Sequence, residues 1–369
     1  MVKRLLYLNG VAILAVILFH ASGMGFTAMF AWSARFLPAS VPASSQIGSL
    51  QYYFLRIIEQ ISMCGLPAFL FLSGFFIAVA AGRNRPTVSW QVVRARIKYL
   101  LIPYFVWSLI SLALLFLEGN RYSPVSILVM ILTGKTSELL YFVPLLIQFY
   151  LLSPFIIRAA KKNWKALLLV TGILQFLVVA FSYPVFLGSD DPFLIGLNTL
   201  VPKWFFLARI FWFPFGVVVF TQLEEFKGWL SRVRWGMLVT TTLLIPLGVL
   251  EWETLFRMSG LAWLPARETF LDLIYAFTAI CCLLAFDNAH SWWFDKVSWI
   301  GTKSYGIFLI HGIAITYTAK IIYHIAPNLL AYQLFLQPIL IIAGLSIPLL
   351  MMAIVDKSPL RRFYTYLYG

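Results

Sequence analysis

The chain is poor in charge and in cysteine. Only 11% of its 369 residues are charged, whereas 61% are hydrophobic, and the mean hydropathy is +0.88. A soluble domain of this composition would lack the polar surface that keeps a protein in solution. The three cysteines, Cys64, Cys281 and Cys282, lie in apolar stretches, and no cysteine or histidine cluster has metal-ligand spacing. We therefore expect a polytopic membrane protein with no disulfide framework and no structural metal.

Acidic residues are also scarce, with 14 acids against 28 lysines and arginines. The basic residues are dispersed among short connections beside apolar segments, which is typical of positive-inside loops that meet anionic lipid. This distribution argues against a nucleic-acid partner. Since no soluble segment and no repeat of helical-array period is evident, we predict a single membrane domain over residues 1–369.

Long apolar runs predict an all-α bundle of about ten transmembrane helices. Each run has roughly the 17 to 25 residues that a bilayer helix needs. The region 122–133 is a weaker candidate, for a re-entrant or interfacial piece. The predicted spans are 9–31, 57–82, 98–118, 139–157, 164–187, 203–222, 235–250, 269–287, 297–323 and 333–355.

Two connections between the predicted spans are basic and contain no acid. The one after the second span carries Arg83, Arg85, Arg94, Arg96 and Lys98, and the one after the fourth carries Arg158, Lys161, Lys162 and Lys165. By the positive-inside rule both face the cytoplasm, which predicts cytoplasmic termini. Polar residues interrupt the first apolar run and many spans follow it, so we interpret it as a retained helix and not as a cleaved signal.

A histidine lies in the middle of the first predicted span. His20 is about 16 Å along the helix from Asn9, near the centre of a bilayer about 30 Å thick. A polar ring at that depth must face other helices or a wet cavity. From this segment alone, a functional group and an interhelical hydrogen bond are both open. His311 lies at a similar depth in the ninth span, so the two rings are candidates to share one cavity.

The start of the third span carries three cations within five residues. Arg94 and Lys98 are four apart on one helix face, and Arg96 lies off that face. Such a group can hold phosphates, because arginine offers a planar fork of donors. It can equally be an anchor on lipid headgroups.

Several segments, in this order, resemble the acyltransferase type 3 family of bacterial integral membrane proteins. They are YLNGVAILAVILFH, LPAFLFLSGFFIA, RARIKYLLIPYFVW, VPLLIQFYLLSPF, RIFWFPFGVVVF and SYGIFLIHG. The likeness extends through almost the whole chain. It implies a multi-pass protein of the plasma (inner) membrane that transfers an acyl group, usually acetyl, from cytoplasmic acetyl-CoA to a sugar hydroxyl of a surface or exported glycan.

The same resemblance implies roles for particular residues. His20 is the expected catalytic residue, and Arg96 is expected to bind the CoA phosphates with the help of Arg94 and Lys98. Many family members carry an arginine eleven positions before the histidine, where this chain has Asn9. The role of that arginine is either lost or taken by another residue, such as Arg4 or the third-span cluster.

The chemistry of an imidazole fits acyl transfer. With an ordinary pKa of about 6.5, His20 can accept a proton near neutral pH as a general base. It can equally act as a transient acyl carrier. Candidates for acceptor or oxyanion contacts are Ser73, Gln148, Tyr305 and His311. Ser73 with Gly74, and also Gln148, are open to the plainer interpretation of helix packing and interhelical hydrogen bonding. We expect acyl-CoA as the donor substrate and no permanently bound cofactor.

Two other functions remain open at this point. One is a transporter or exporter of a glycan or small molecule, a role suggested for some relatives. The lack of a matched pair of broken helices in the two halves counts mildly against it. The other is a non-catalytic membrane partner of a glycan-assembly complex, which Asn9 makes conceivable.

Overall fold

The computed structural model describes residues 2–35, 47–264, 268–286 and 292–369. It is 83% helical, and no strand occurs in these ranges, which confirms the all-α class. The α-helices in chain order are α1 (Val2–Phe30), α2 (Leu50–Ser62), α3 (Gly65–Ala81), α4 (Trp90–Leu117), α5 (Pro124–Thr133), α6 (Phe142–Ala180), α7 (Tyr183–Phe186), α8 (Pro192–Leu200), α9 (Trp212–Thr221), α10 (Leu223–Ser259), α11 (Phe270–Ala285), α12 (Trp292–Thr302), α13 (Ser304–Ile325), α14 (Gln333–Asp356) and α15 (Tyr364–Tyr368).

Seven helical stretches of the described chain are long and apolar enough to cross a membrane, so the predicted number of about ten is not exactly confirmed. Shorter apolar helices, α5, α9 and α11, account for part of the difference. The ten residues of α5 rise only about 15 Å. The seven stretches are Lys3–Phe30, Leu50–Ala81, Trp90–Leu117, Phe142–Phe186, Leu223–Ser259, Ser304–Ile325 and Gln333–Asp356.

The stretch Phe142–Phe186 turns back on itself within α6. Asn163 has φ −157° and ψ 87°, which breaks the helix. Gln148, before the break, donates to the Trp204 carbonyl at 2.8 Å, and Gln175, after it, donates to the Ala208 carbonyl at 3.0 Å. Carbonyls four residues apart are separated by at most about 14 Å, whereas an unbroken helix would separate the two glutamines by about 40 Å. The two halves of α6 therefore lie side by side, and they correspond to the separate spans predicted over 139–157 and 164–187.

The prediction of a continuous span over 203–222 is wrong. The α-helix in this region covers only Trp212–Thr221, preceded by a short 3₁₀ turn at Phe206–Arg209. Val201, directly before Pro202, has a non-helical backbone with φ −114° and ψ 89°, as expected for a residue that precedes proline. The polar backbone of the irregular segment is satisfied instead by Gln148 and Gln175.

The chain divides into two compact units. The terminal unit comprises Met1–Gly65 and Ala289–Gly369, and the central unit comprises Leu66–Asn288. In the terminal unit, α1 packs against α2, α12, α13 and α14. In the central unit, α6 packs against α4 and α9, and α10 packs against α11.

Glycines allow the closest helix contact in the terminal unit. A Cβ added to Gly10 of α1 would lie 2.0 Å from the Val297 carbonyl oxygen of α12, and one added to Gly301 would lie 2.1 Å from the Leu6 carbonyl oxygen. Small residues at such crossings let helix backbones approach in a membrane, where no hydrophobic effect drives association. Because neither glycine has a side chain, the backbones of α1 and α12 can pack directly against each other.

Glycines also allow a close contact between α3 and α9 in the central unit. A Cβ on Gly74 would lie 2.0 Å from the Phe213 carbonyl oxygen, and one on Gly216 would lie 1.9 Å from the Phe71 carbonyl oxygen. Close packing therefore accounts for Gly74, the second residue of the Ser73 and Gly74 pair.

Candidate functional site

The two mid-span histidines adjoin in the terminal unit. The ring centroids of His20 and His311 are 5.4 Å apart, with the ring planes tilted by 51°. His20 is half-buried, and His311 has no exposed surface. Asn9 and Ser304 form a second contact between α1 and α13, so the two helices run in the same direction through both contacts. The structure thus brings together the two rings that the sequence places at similar depth.

Among the described residues, only one of the two ring nitrogens of His311 has a hydrogen-bond partner. Nδ1 lies 2.8 Å from the Phe308 carbonyl oxygen and 3.1 Å from that of Ile307. Because both neighbours are acceptors, Nδ1 carries the proton, and the neutral ring keeps its lone pair on Nε2. Nε2 is buried and has no hydrogen-bond partner among the described residues. His311 therefore holds an unused acceptor beside His20.

Asn9, at the position of the expected arginine, joins three helices. Its Nδ2 donates to the Gly301 carbonyl of α12 at 2.7 Å and to the Ser304 hydroxyl of α13 at 2.9 Å. These bonds bridge the point where the helical backbone breaks at Lys303, with φ −105° and ψ 3°. A neutral hydrogen-bonding group thus holds the α12 to α13 junction against α1.

Two glutamines four residues apart on α14 were missed by the sequence reasoning. Gln337 donates to the Ala21 carbonyl at 3.1 Å and to the Gln333 side-chain oxygen at 3.1 Å. The Gln333 side chain donates to the Gly25 carbonyl at 3.4 Å, and its backbone N–H donates to the Gln51 side-chain oxygen at 2.7 Å. The spacing of two amides within an apolar span was the available signal, because such amides are glue between membrane helices.

A buried ion pair lies in α2 of the same unit. Arg56 contacts Glu59, with side chains 5% and 10% exposed, and its guanidinium lies 5.6 Å from the centre of the Phe26 ring of α1. Buried charges of this kind are tolerated when paired. The predicted second span begins at residue 57, so it includes Glu59 but not Arg56.

The predicted CoA-binding residues lie in the central unit. Arg94, Arg96 and Lys98 are all exposed near the start of α4. Ser73 of α3 and Arg96 of α4 both lie close to the side chain of Tyr150 of α6. Ser73 therefore lies in the same neighbourhood as Arg96, while its neighbour Gly74 serves close packing.

The two basic connections lie together in the central unit. Lys161, beside the break in α6, donates to the carbonyls of Gly82 and Arg83 at 3.1 and 2.9 Å and also to that of Arg85. Thr87 donates to the Pro154 carbonyl at 2.6 Å. The two basic connections are therefore in direct contact. We call this region the basic surface; its exposed cations are Arg83, Arg85, Arg94, Arg96, Lys98, Arg158, Lys161, Lys162 and Lys165.

Two other candidates are engaged elsewhere. Gln148 donates to the Pro144 and Trp204 carbonyls at 3.1 and 2.8 Å, and its oxygen accepts the Phe206 N–H at 3.2 Å. Its amide therefore serves to hold the irregular segment before α9. Tyr305 lies six residues before His311, about 9 Å along α13, and a Cβ on Gly369 would lie 2.5 Å from its ring.

A largely buried ion pair lies at the irregular segment of the central unit. Arg209 pairs with Glu268 at 2.7 Å, with side chains 11% and 18% exposed, and lies 5.8 Å from the centre of the Tyr141 ring.

In the described ranges, no group of three or more histidine, cysteine or acidic residues is arranged to hold a metal ion.

Comparison with known proteins identifies the family. Neither a curated protein nor a solved structure gives a match to the chain. The model of the acyltransferase domain, Acyl_transf_3, matches residues 3–355, a range that reaches into both units and includes both histidines and the basic surface. The chain therefore belongs to the acyltransferase 3 family and is a membrane acyltransferase.

Proposed function

We propose that this acyltransferase moves an acyl group, most simply acetyl, from cytoplasmic acyl-CoA to a sugar hydroxyl of a surface or exported glycan. The observation that carries the proposal is the pairing of His20 with His311 inside a helix bundle, where ionisable groups are costly and usually functional. Since His20 is half-buried, its ring keeps a face for a substrate, whereas the fully buried His311 does not.

His20 acts as the base in this proposal. The acceptor oxygen attacks the thioester carbonyl as its proton passes to a ring nitrogen of His20. The new C–O bond forms, the C–S bond breaks, and the thiolate leaves with the electron pair. The proton on His20 then returns to the thiolate, which releases free CoA. In the covalent variant, the same nitrogen attacks the thioester, the C–S bond breaks and the thiolate leaves; the acceptor oxygen then displaces the nitrogen from the acyl group, and the hydroxyl proton passes to the thiolate.

The basic surface holds the donor in this proposal. CoA carries a pyrophosphate and a ribose phosphate, which exposed arginines bind through charge-assisted hydrogen bonds. Arg94, Arg96 and Lys98 are available for that role. No acidic residue occurs in 82–99 or 154–166, so no carboxylate from these segments competes for them.

The test is acetyl-CoA binding and turnover by the protein in lipid nanodiscs. We expect His20→Ala to lower turnover about 10²- to 10⁴-fold, the usual contribution of a general base, with binding little changed. Arg96→Ala should weaken binding about tenfold, because it removes a charge-assisted contact worth about 1.5 kcal/mol.

Matched controls separate these effects from general damage. Arg121→Ala removes an exposed arginine just beyond the other end of α4, and it should bind acetyl-CoA like the wild type. Wild-type turnover by folded His20→Ala protein would refute the base role. Equal affinities of the Arg96 and Arg121 variants would refute the basic surface as the donor site.

A further inference from the structure

The contacts between α1 and α13 follow one stripe on each helix. Asn9 and His20 are eleven residues apart, almost exactly three turns, and Ser304 and His311 are seven apart, almost two turns. Each pair therefore lies on one face of its helix. Asn9 meets Ser304 and His20 adjoins His311, so both contacts belong to one parallel seam. The seam fixes His311 relative to His20 through backbone packing.

The ring of His311 is held more firmly than packing alone would hold it. Its Nδ1–H points to two carbonyls of the preceding turn, at 2.8 and 3.1 Å. This bond selects one tautomer and leaves the lone pair on Nε2. A buried acceptor without a donor carries a desolvation cost, and an apolar side chain of similar size would fill the same space without that cost. The unused lone pair is therefore the feature of His311 that packing does not explain.

His20 can supply the missing donor. A ring nitrogen lies about 1.1 Å from its centroid, so centroids 5.4 Å apart permit a nitrogen to nitrogen distance of about 3.2 Å, which is within hydrogen-bond range. Rotation of the His20 ring about χ2, a broad torsion for histidine, is the motion that directs one of its nitrogens at His311.

We propose that His311 is the positioning residue of His20, with its Nε2 accepting the N–H of the His20 ring. This inference rests on the proposed function for its catalytic consequence. The bond fixes the tautomer of His20 and leaves the other ring nitrogen, with its lone pair, for the acceptor hydroxyl. His311 keeps its own Nδ1 proton throughout, and the hydroxyl proton resides on His20 until the thiolate takes it. The arrangement gives a buried neutral imidazole the role that a carboxylate plays beside other catalytic histidines.

The first test reads the hydrogen bond without turnover. The chain has 4 histidines, so ¹⁵N-histidine NMR of the protein in nanodiscs gives few signals, which single substitutions assign. Protonated and unprotonated ring nitrogens have well-separated ¹⁵N shifts. We expect one neutral tautomer for His20 in the wild type and a mixture of tautomers in His311→Leu. His311→Gln should preserve the single tautomer, because its side-chain oxygen can take the place of Nε2.

The control for this test is His324→Leu, an exposed histidine on the same helix, which should leave the His20 signals unchanged. Identical His20 signals in the wild type and in a folded His311→Leu protein would overturn the proposal, whatever the activity. A mixture of tautomers in the wild type would overturn it too.

The second test is the split of kinetic constants for acetyl-CoA with methyl glucoside as the acceptor probe. His311→Leu should lower kcat about a hundredfold, within the range of general-base contributions, with little change in KM for acetyl-CoA. His311→Gln should recover most of this loss. Equal losses in the Leu and Gln variants would refute the positioning role. Full activity of His20→Ala would instead refute the proposed function. The NMR measurement tests the hydrogen bond between the two histidines independently of activity.

Discussion

The contact of α1 with α12 makes Gly10→Ala the most informative single change to stability. The added Cβ would lie 2.0 Å from the Val297 carbonyl oxygen, more than an ångström inside normal contact. Because the obstacle is backbone, α12 must withdraw as a whole. Overpacking of this kind costs about 1–3 kcal/mol.

The withdrawal also strains the neighbouring hydrogen bonds of Asn9. Its bonds to Gly301 and Ser304, now 2.7 and 2.9 Å, would lengthen beyond useful range, at about 1 kcal/mol each. The higher helix propensity of alanine returns about 1 kcal/mol. The expected net loss is therefore about 2–4 kcal/mol of unfolding free energy.

The measurement is reversible unfolding in mixed micelles, with Gly23→Ala as the matched control. Gly23 lies in the same helix, and its added Cβ would meet no atom within 4 Å. That variant should be as stable as the wild type or more stable by up to about 1 kcal/mol. Equal stabilities of the Gly10 and Gly23 variants would refute the close approach of the two helices.

Two further changes test hydrogen bonds that the structure assigns. Lys161→Met should raise the rate of trypsin cleavage at Arg83, in the loop after α3, about a hundredfold, because it removes three hydrogen bonds worth about 1 kcal/mol each. Lys162→Met, a change of its exposed neighbour, should leave the rate unchanged, and mass spectrometry of the fragments distinguishes the two variants. Asn9→Ala should lower the unfolding free energy by about 2 kcal/mol through its two lost bonds, more than Thr27→Ala, whose hydroxyl bonds only within α1, and equal losses in unfolding titrations would contradict the assignment.

Hydropathy predicted the long helices well because burial in lipid requires both length and apolar composition. The last predicted span, 333–355, matches α14 closely, and the first, 9–31, ends within one residue of the end of α1, which begins earlier, at Val2. Hydropathy failed over 203–222, since it measures apolarity and not backbone conformation. There the chain is irregular, and side chains from α6 satisfy its backbone. Such support comes from residues distant in sequence, which a hydropathy window does not include.

The site was predictable in part. The depth of His20 and His311 in their spans was enough to suggest that they meet, and their rings do adjoin. The roles of Asn9 and Lys161 were not predictable, because each depends on carbonyls of other helices. Because every residue has a backbone carbonyl, the sequence does not show which of them a side chain binds. Only the backbone positions show that Asn9 binds Gly301, which is 292 residues away.

That separation has a consequence for biosynthesis. Ribosomes add about 5–20 residues per second, so the 292 residues between Asn9 and Gly301 take about 15–60 s to synthesise. During this interval α1 is in or near the membrane without α12, α13 or α14, and Asn9 and His20 lack the neighbours on α12 and α13 described above. The unit that holds both histidines is therefore completed only when the last helices leave the ribosome, and premature termination before α12 would yield a membrane-inserted chain that lacks the histidine pair.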